Sequence, residues 1–118
     1  MKNNILAIIY DFDKTLCTKD MQEYTFIPNL GLKPITFWKE VDKIKLDNKM
    51  DSILAYMYLM VKKSNEIGKD IKMSYLNDMG KDIELFPGVK SWFKRINEYG
   101  RKKGIIIEHY IISSGLKE

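Results

Sequence analysis

The feature that most limits what this chain can fold into is a short apolar run, Ile5 to Tyr10, that ends abruptly in Asp11-Phe12-Asp13. A run of this length, partly β-branched and bounded by polar turn formers, suits a strand buried on both faces. A second run, Ile105 to Ile112, is broken by Glu108-His109, follows Gly104 and ends at Ser113-Ser114-Gly115. Each run carries its polar residues at its C-terminal end, the end at which open α/β sheets bind ligands.

Between the runs the pattern is helical. Val89, Trp92, Phe93, Ile96 and Tyr99 recur at spacings of three and four, after Pro87-Gly88 and before Gly100. This predicts an amphipathic crossover helix leading into the second strand. The middle of the chain, Lys19 to Glu84, contains no convincing strand. Pro34 opens a helix with Phe37, Trp38, Val41 and Ile44 on one stripe, and Asp51 or Ser52 caps a helix through Lys63 with Gly68 beyond its end. Ser74 is expected to cap a third helix carrying Tyr75, Leu76 and Met79. The helix near Ile53 to Val61 is apolar all round, which predicts the buried centre of a helical module, a wall over an active site being the alternative. Met21, Met50, Met57, Met60, Met73 and Met79 read as packing filler.

Composition narrows the function. Apolar residues at 45% and charged residues at 31% support a core and exclude a disordered chain. The net charge of +4 suits either a solvated lysine-rich surface or attraction of an anionic substrate. The densest basic run, Arg101-Lys102-Lys103, is short and lacks interleaved aromatics, so no nucleic-acid partner is expected. The longest apolar stretch, Ile53 to Val61, falls far below the roughly 20 residues of a membrane span. With no secretory signal and a lone Cys17, which can form no intrachain disulfide, the expected location is the cytoplasm.

Asp11 and Asp13 carry the chemistry. Residues two apart on an extended strand point to one side. Carboxylates that close repel each other unless a cation neutralises them, and a hard divalent ion such as Mg²⁺ is the natural one. One carboxylate is then placed to attack and the other to move a proton. The plainer alternative is a turn in which the aspartates bond nearby backbone N–H groups. Cys17 has no base near it in sequence and His109 lies inside a strand, so both read as structural.

Asp11-Phe12-Asp13-Lys14-Thr15-Leu16 resembles the first motif of the haloacid dehalogenase superfamily, an apolar strand followed by D-x-D-x-T/V. Tyr110-Ile111-Ile112-Ser113 resembles its second motif, and Phe86-Pro87-Gly88-Val89 resembles the segment that begins the preceding helix. Ser114 leaves the second motif ambiguous by one residue, with Ser113 preferred because it directly follows the strand. Lys14 stands where glycine is commoner.

The resemblance implies an α/β fold, a Rossmann-like parallel-sheet core only partly present in this chain, with an inserted all-helical cap. Residues 1–18 would be the first strand and catalytic loop, 19–84 the cap, and 85–118 the crossover helix and second strand. It implies a Mg²⁺-dependent phosphatase in which Asp11 attacks the phosphoryl group and Asp13 protonates the leaving group, then activates water. Asp11 through its carboxylate and Asp13 through its carbonyl would help hold Mg²⁺. Thr15 would orient the loop, the Ser113 hydroxyl would bond a phosphoryl oxygen, and backbone N–H groups near Phe12, Asp13 and Ser114 would face the same oxygens. A proton donor at position 13 favours an alkoxide leaving group over a halide, so the expected partner is a small phosphorylated metabolite, with mutase and phosphotransferase chemistry open.

The superfamily's later Lys or Arg and acidic pair follow the second motif. Only Leu116-Lys117-Glu118 follow it here, where Lys117 and Glu118 are expected to begin a helix. The chain is therefore expected to be an N-terminal portion, weakly active alone. A non-catalytic binding or regulatory domain is the alternative. A receiver domain fits worse, because its phosphorylated Asp ends a later strand.

Overall fold

The computed structural model describes residues 4–115. Their elements run β1 (Asn4–Tyr10), a 3-10 turn (Met21–Glu23), α1 (Phe26–Asn29), α2 (Pro34–Asn48), α3 (Ser52–Glu66), α4 (Met73–Gly80), α5 (Val89–Lys102) and β2 (Ile105–Ile111). The described residues form two compact units, 4–20 with 84–115, and 21–83.

In the first unit β1 and β2 pair in parallel, Asn4 opposite Ile105 through Tyr10 opposite Ile111. The Ile112 N–H donates to the Tyr10 carbonyl at 2.8 Å, which carries the pairing one step further. Helix α5 begins after Gly88, whose φ of +89° is one that glycine adopts without a Cβ clash. It packs on β2. Its apolar stripe and the strand residues facing it interlock: Phe93 meets Tyr10 and His109 edge to face at 5.7 and 5.1 Å. Gly100, expected just past the helix, lies inside it and is buried, because a Cβ there would sit 2.8 Å from the Ile107 side chain.

The expected Rossmann-like core with an inserted cap is overturned. The described residues are mostly helical, and their one sheet has two strands. The expectation that β1 is buried on both faces fails with it. Residues opposite the α5 side, Ile5 and Ile9 at 61% and Ile106 at 43%, are exposed. One helix can cover only one face of a two-stranded ribbon, so the other keeps its isoleucines in water. The error lay in reading a continuous apolar run as doubly buried, when periodicity alone records only that it is apolar.

The second unit is helical. Phe37 and Val41 of α2 and Ala55, Tyr56, Leu59 and Met60 of α3 are buried. Trp38 meets Phe37 and Tyr56 edge to face at 5.2 and 6.2 Å, and its indole N–H donates to Glu23 at 2.7 Å. Asp51 caps α3 by accepting the Ile53 N–H at 2.8 Å. Lys63 of α3 bonds Glu40 of α2 at 3.1 Å. Ser74 does not cap α4; Met73 already lies in the helix and Lys72 precedes it without a side-chain bond. Nor is α3 buried all round: Leu54, Met57, Tyr58 and Val61 form an exposed stripe, since α3 packs against α2 along one side. Of the six methionines expected to be packing filler, Met60 and Met79 fill the core while Met73 is 61% exposed. The helix start expected at Lys117 and Glu118 lies outside the described residues.

Candidate functional site

Asp11 and Ser113 both leave the sheet at its C-terminal end. Tyr10 opposes Ile111, so Asp11 follows one strand and Ile112-Ser113 the other, side by side. A parallel pair is what brings residues 102 positions apart to one edge; an antiparallel pair would send them to opposite ends.

The loop after β1 is wound tightly around one carbonyl. The N–H groups of Thr15, Leu16 and Cys17 all approach the Phe12 carbonyl, at 3.2, 2.9 and 3.3 Å. Winding that tight requires a left-handed residue, and Lys14 supplies it with φ +59°. This is the physical reason that glycine suits the position and the cost that lysine carries there, about 1–2 kcal/mol for an L-residue. The Lys14 ammonium meets Asp20 at 2.6 Å.

Asp11 is exposed and held at both oxygens. Its Oδ1 accepts the Phe12 N–H at 2.9 Å and its Oδ2 accepts the Thr15 hydroxyl at 3.3 Å. Both bonds fix the carboxylate while leaving lone pairs toward solvent. The Phe12 N–H is thereby engaged with Asp11. Asp13 is half-buried, and one of its oxygens lies 3.9 Å from the Cys17 sulfur. Cys17 is fully buried and its thiol points at the Lys19 carbonyl, 3.1 Å away. Ser113 accepts the Gly115 N–H at 3.0 Å. That bond uses a lone pair of the hydroxyl and leaves its proton to donate elsewhere.

The oxygen donors that Asp11 and Asp13 offer suit Mg²⁺, which commonly takes one or two carboxylates and keeps several waters. They do not build a closed cage: among the described residues no three His, Cys, Asp or Glu side chains converge. Asp11 and Asp13 could contribute oxygen ligands to such an ion but could not enclose it.

The sequence reading missed a chain of side chains directly behind Asp11. The Trp92 indole N–H donates to the Tyr10 hydroxyl at 2.8 Å. That hydroxyl lies 2.8 Å from His109 Nδ1, and His109 Nε2 lies 2.8 Å from Asn97 Oδ1. The Tyr10 and His109 rings stack at 5.7 Å. The available signal was polar residues (His109, Asn97) on faces otherwise set for core, which need partners when covered.

No helix among the described residues is long and apolar enough to cross a membrane. No family model matches the chain. No solved structure matches it. The chain is similar to an uncharacterized protein of Borreliella burgdorferi, with 27% identity over 127 aligned positions that take in 99% of this chain and 44% of that protein. The chain thus spans less than half the length of the curated relative it matches.

Proposed function

We propose that this chain carries the nucleophile of a Mg²⁺-dependent phosphomonoester hydrolase. The observation behind this is the convergence of Asp11 and Ser113 at one end of a parallel strand pair, with Thr15 bonded to the Asp11 carboxylate. Asp11 attacks phosphorus, and the ester oxygen leaves as an alcohol with the proton of Asp13. Asp13, now a base, takes a proton from water, which cleaves the aspartyl-phosphate and returns Asp11 and inorganic phosphate. Ser113 donates its free hydroxyl proton to a phosphoryl oxygen. The ion, when bound, neutralises charge on the phosphoryl oxygens; Asp11 and Asp13 would hold it. Positioning and charge neutralisation of this kind supply most of the catalysis in phosphoryl transfer.

The substrate in this proposal is a small phosphorylated metabolite of the cytoplasm, with no nucleic-acid or membrane partner. The net positive charge suits such an anionic substrate. The test is phosphate release from p-nitrophenyl phosphate by the product of the complete reading frame, with and without Mg²⁺, beside Asp11→Asn. Turnover that needs Mg²⁺ and disappears in the variant is the expected result. A folded, Mg²⁺-replete protein with no turnover on this or a panel of phosphorylated metabolites would replace catalysis with the non-catalytic binding alternative.

A further inference from the structure

We propose that Tyr10 is a positioning residue for Asp11, held by a directional hydrogen-bond chain that fixes His109 as its Nε2–H tautomer. The inference deepens the phosphatase reading and rests on it for its catalytic consequence, though not for its structural one.

The direction of the chain follows from donor counting. Trp92 Nε1 can only donate, so the Tyr10 oxygen accepts there. The Tyr10 proton is then available for His109 Nδ1, 2.8 Å away, with Nδ1 accepting as the bare nitrogen. A neutral imidazole bare at Nδ1 carries its hydrogen on Nε2, and Asn97 Oδ1 stands 2.8 Å from it to accept. Each polar atom named finds one complementary partner, and all four side chains are half-buried, where losing a partner is costly. Phe93 closes edge to face on both rings, so neither can swing without losing packing.

The anchored residue stands next to the nucleophile. Its backbone carbonyl holds the Ile112 N–H, one residue before Ser113. Tyr10 is thus tied through its side chain to α5 and through its backbone to β2, at the step where Asp11 departs. Among the described residues, the Asp11 carboxylate is bonded within the tightly wound loop beyond it, to Phe12 and Thr15. The far side of the loop is held by Leu16 and Thr18, which pair with Phe86 and Glu84; its near side, where Asp11 stands, is held by the strand end, which this chain fixes laterally.

The experiment uses the 118-residue chain, in which His109 is the sole histidine and its imidazole signals are unambiguous. Nitrogen-15 NMR is expected to show the Nε2–H tautomer at neutral pH, and Tyr10→Phe to give averaged tautomers. The Phe12 amide, bonded to Asp11, should then exchange about tenfold faster, as a loosened loop opens more often. An Nδ1–H tautomer in the wild type, or unchanged Phe12 exchange in Tyr10→Phe, overturns the proposal. These readings need no activity, so they stand apart from the Asp11→Asn assay. In the active protein, Tyr10→Phe and His109→Leu should lower kcat about ten- to a hundredfold with KM within twofold, the scale set by a misplaced catalytic group. His109→Asn, whose Oδ1 can replace Nδ1 as acceptor, should recover most of that loss. A fall in KM-linked binding alone, or no recovery in His109→Asn despite a stability equal to wild type, overturns it too.

Discussion

Gly100→Ala sets two effects of opposite sign against each other. Replacing glycine inside a helix by alanine is worth about 1 kcal/mol in propensity. At position 100 the added Cβ would lie 2.8 Å from both Cγ1 and Cδ1 of Ile107 and 3.0 Å from the Ile105 carbonyl oxygen. Cγ1 is near the branch of the side chain and the carbonyl belongs to the backbone of β2, so neither yields easily. Overpacking of this kind costs about 1–3 kcal/mol. The clash wins, and the net expectation is destabilisation of about 1 kcal/mol, a fall in Tm of roughly 4 °C for a chain of this size. Ile107→Ala removes two of the three offending atoms and should turn the sign. In that background Gly100→Ala becomes neutral or stabilising, and the coupling between the sites comes to about 1–3 kcal/mol. Urea unfolding of the four proteins measures it, with Trp92 as the sole indole in a Trp38→Phe background. If Gly100→Ala stabilises the otherwise unchanged chain, or acts equally in both backgrounds, close packing of α5 on β2 is not the reason for glycine there.

Three further outcomes follow from the same structure. Lys14→Gly should leave stability within about 1 kcal/mol, because relief of the left-handed φ is offset by unfolded-state entropy and by loss of the exposed pair to Asp20, whereas Lys14→Val should lower it by more, as thermal melts will show. Leu59→Ala should cost about 2–5 kcal/mol while Leu54→Ala on the exposed stripe stays within about 0.5–1, a contrast that denaturant midpoints measure. Hydrogen bonding to Glu40, opposed by desolvation and aided by the charges of Glu40 and Glu66, raises the Lys63 pKa above its ordinary 10.5. A raised lysine pKa contributes stability that is complete below the unfolded value and is lost as pH climbs through the folded one. Glu40→Gln should therefore cost up to about 1 kcal/mol at pH 7, less in high salt, and nothing once Lys63 is deprotonated, as urea titrations at neutral and strongly alkaline pH would report.

Local periodicity was the most legible part of this chain. The stripe Phe37, Trp38, Val41 and Ile44, a cap at Asp51 or Ser52 and the crossover stripe from Val89 could be placed because each is decided by residues within a few turns. What was not legible is decided by neighbours distant in sequence. Nothing in Ile5 to Tyr10 records how many strands will stand beside it, so burial on both faces did not follow from an apolar run. The all-round apolar α3 looks the same whether its second face meets a partner element or water. Gly100 resembled a terminator because Tyr99 ends the stripe, and only the approach of Ile107 explains it. At the site, Asp11, Thr15 and Ser113 stood out by motif, yet Trp92, Tyr10, His109 and Asn97 did not, since their pairing depends on a helix crossing two strands.

Asn4 pairs with Ile105, a separation of 101 residues. On a ribosome adding about 5–20 residues each second, the first strand waits roughly 5–20 s for its partner to be made. The segment that waits, Asn4 to Tyr10, has no charged residue and is mostly β-branched and aromatic, which is the composition that seeks any available strand edge. Meanwhile residues 21–83 can settle through helix contacts close in sequence, which form fast. The length of that wait and the chaperone supply should therefore govern the yield of folded chain more than its final stability does, and weak induction, which keeps few unpaired first strands present at once, should be kinder to it than strong induction.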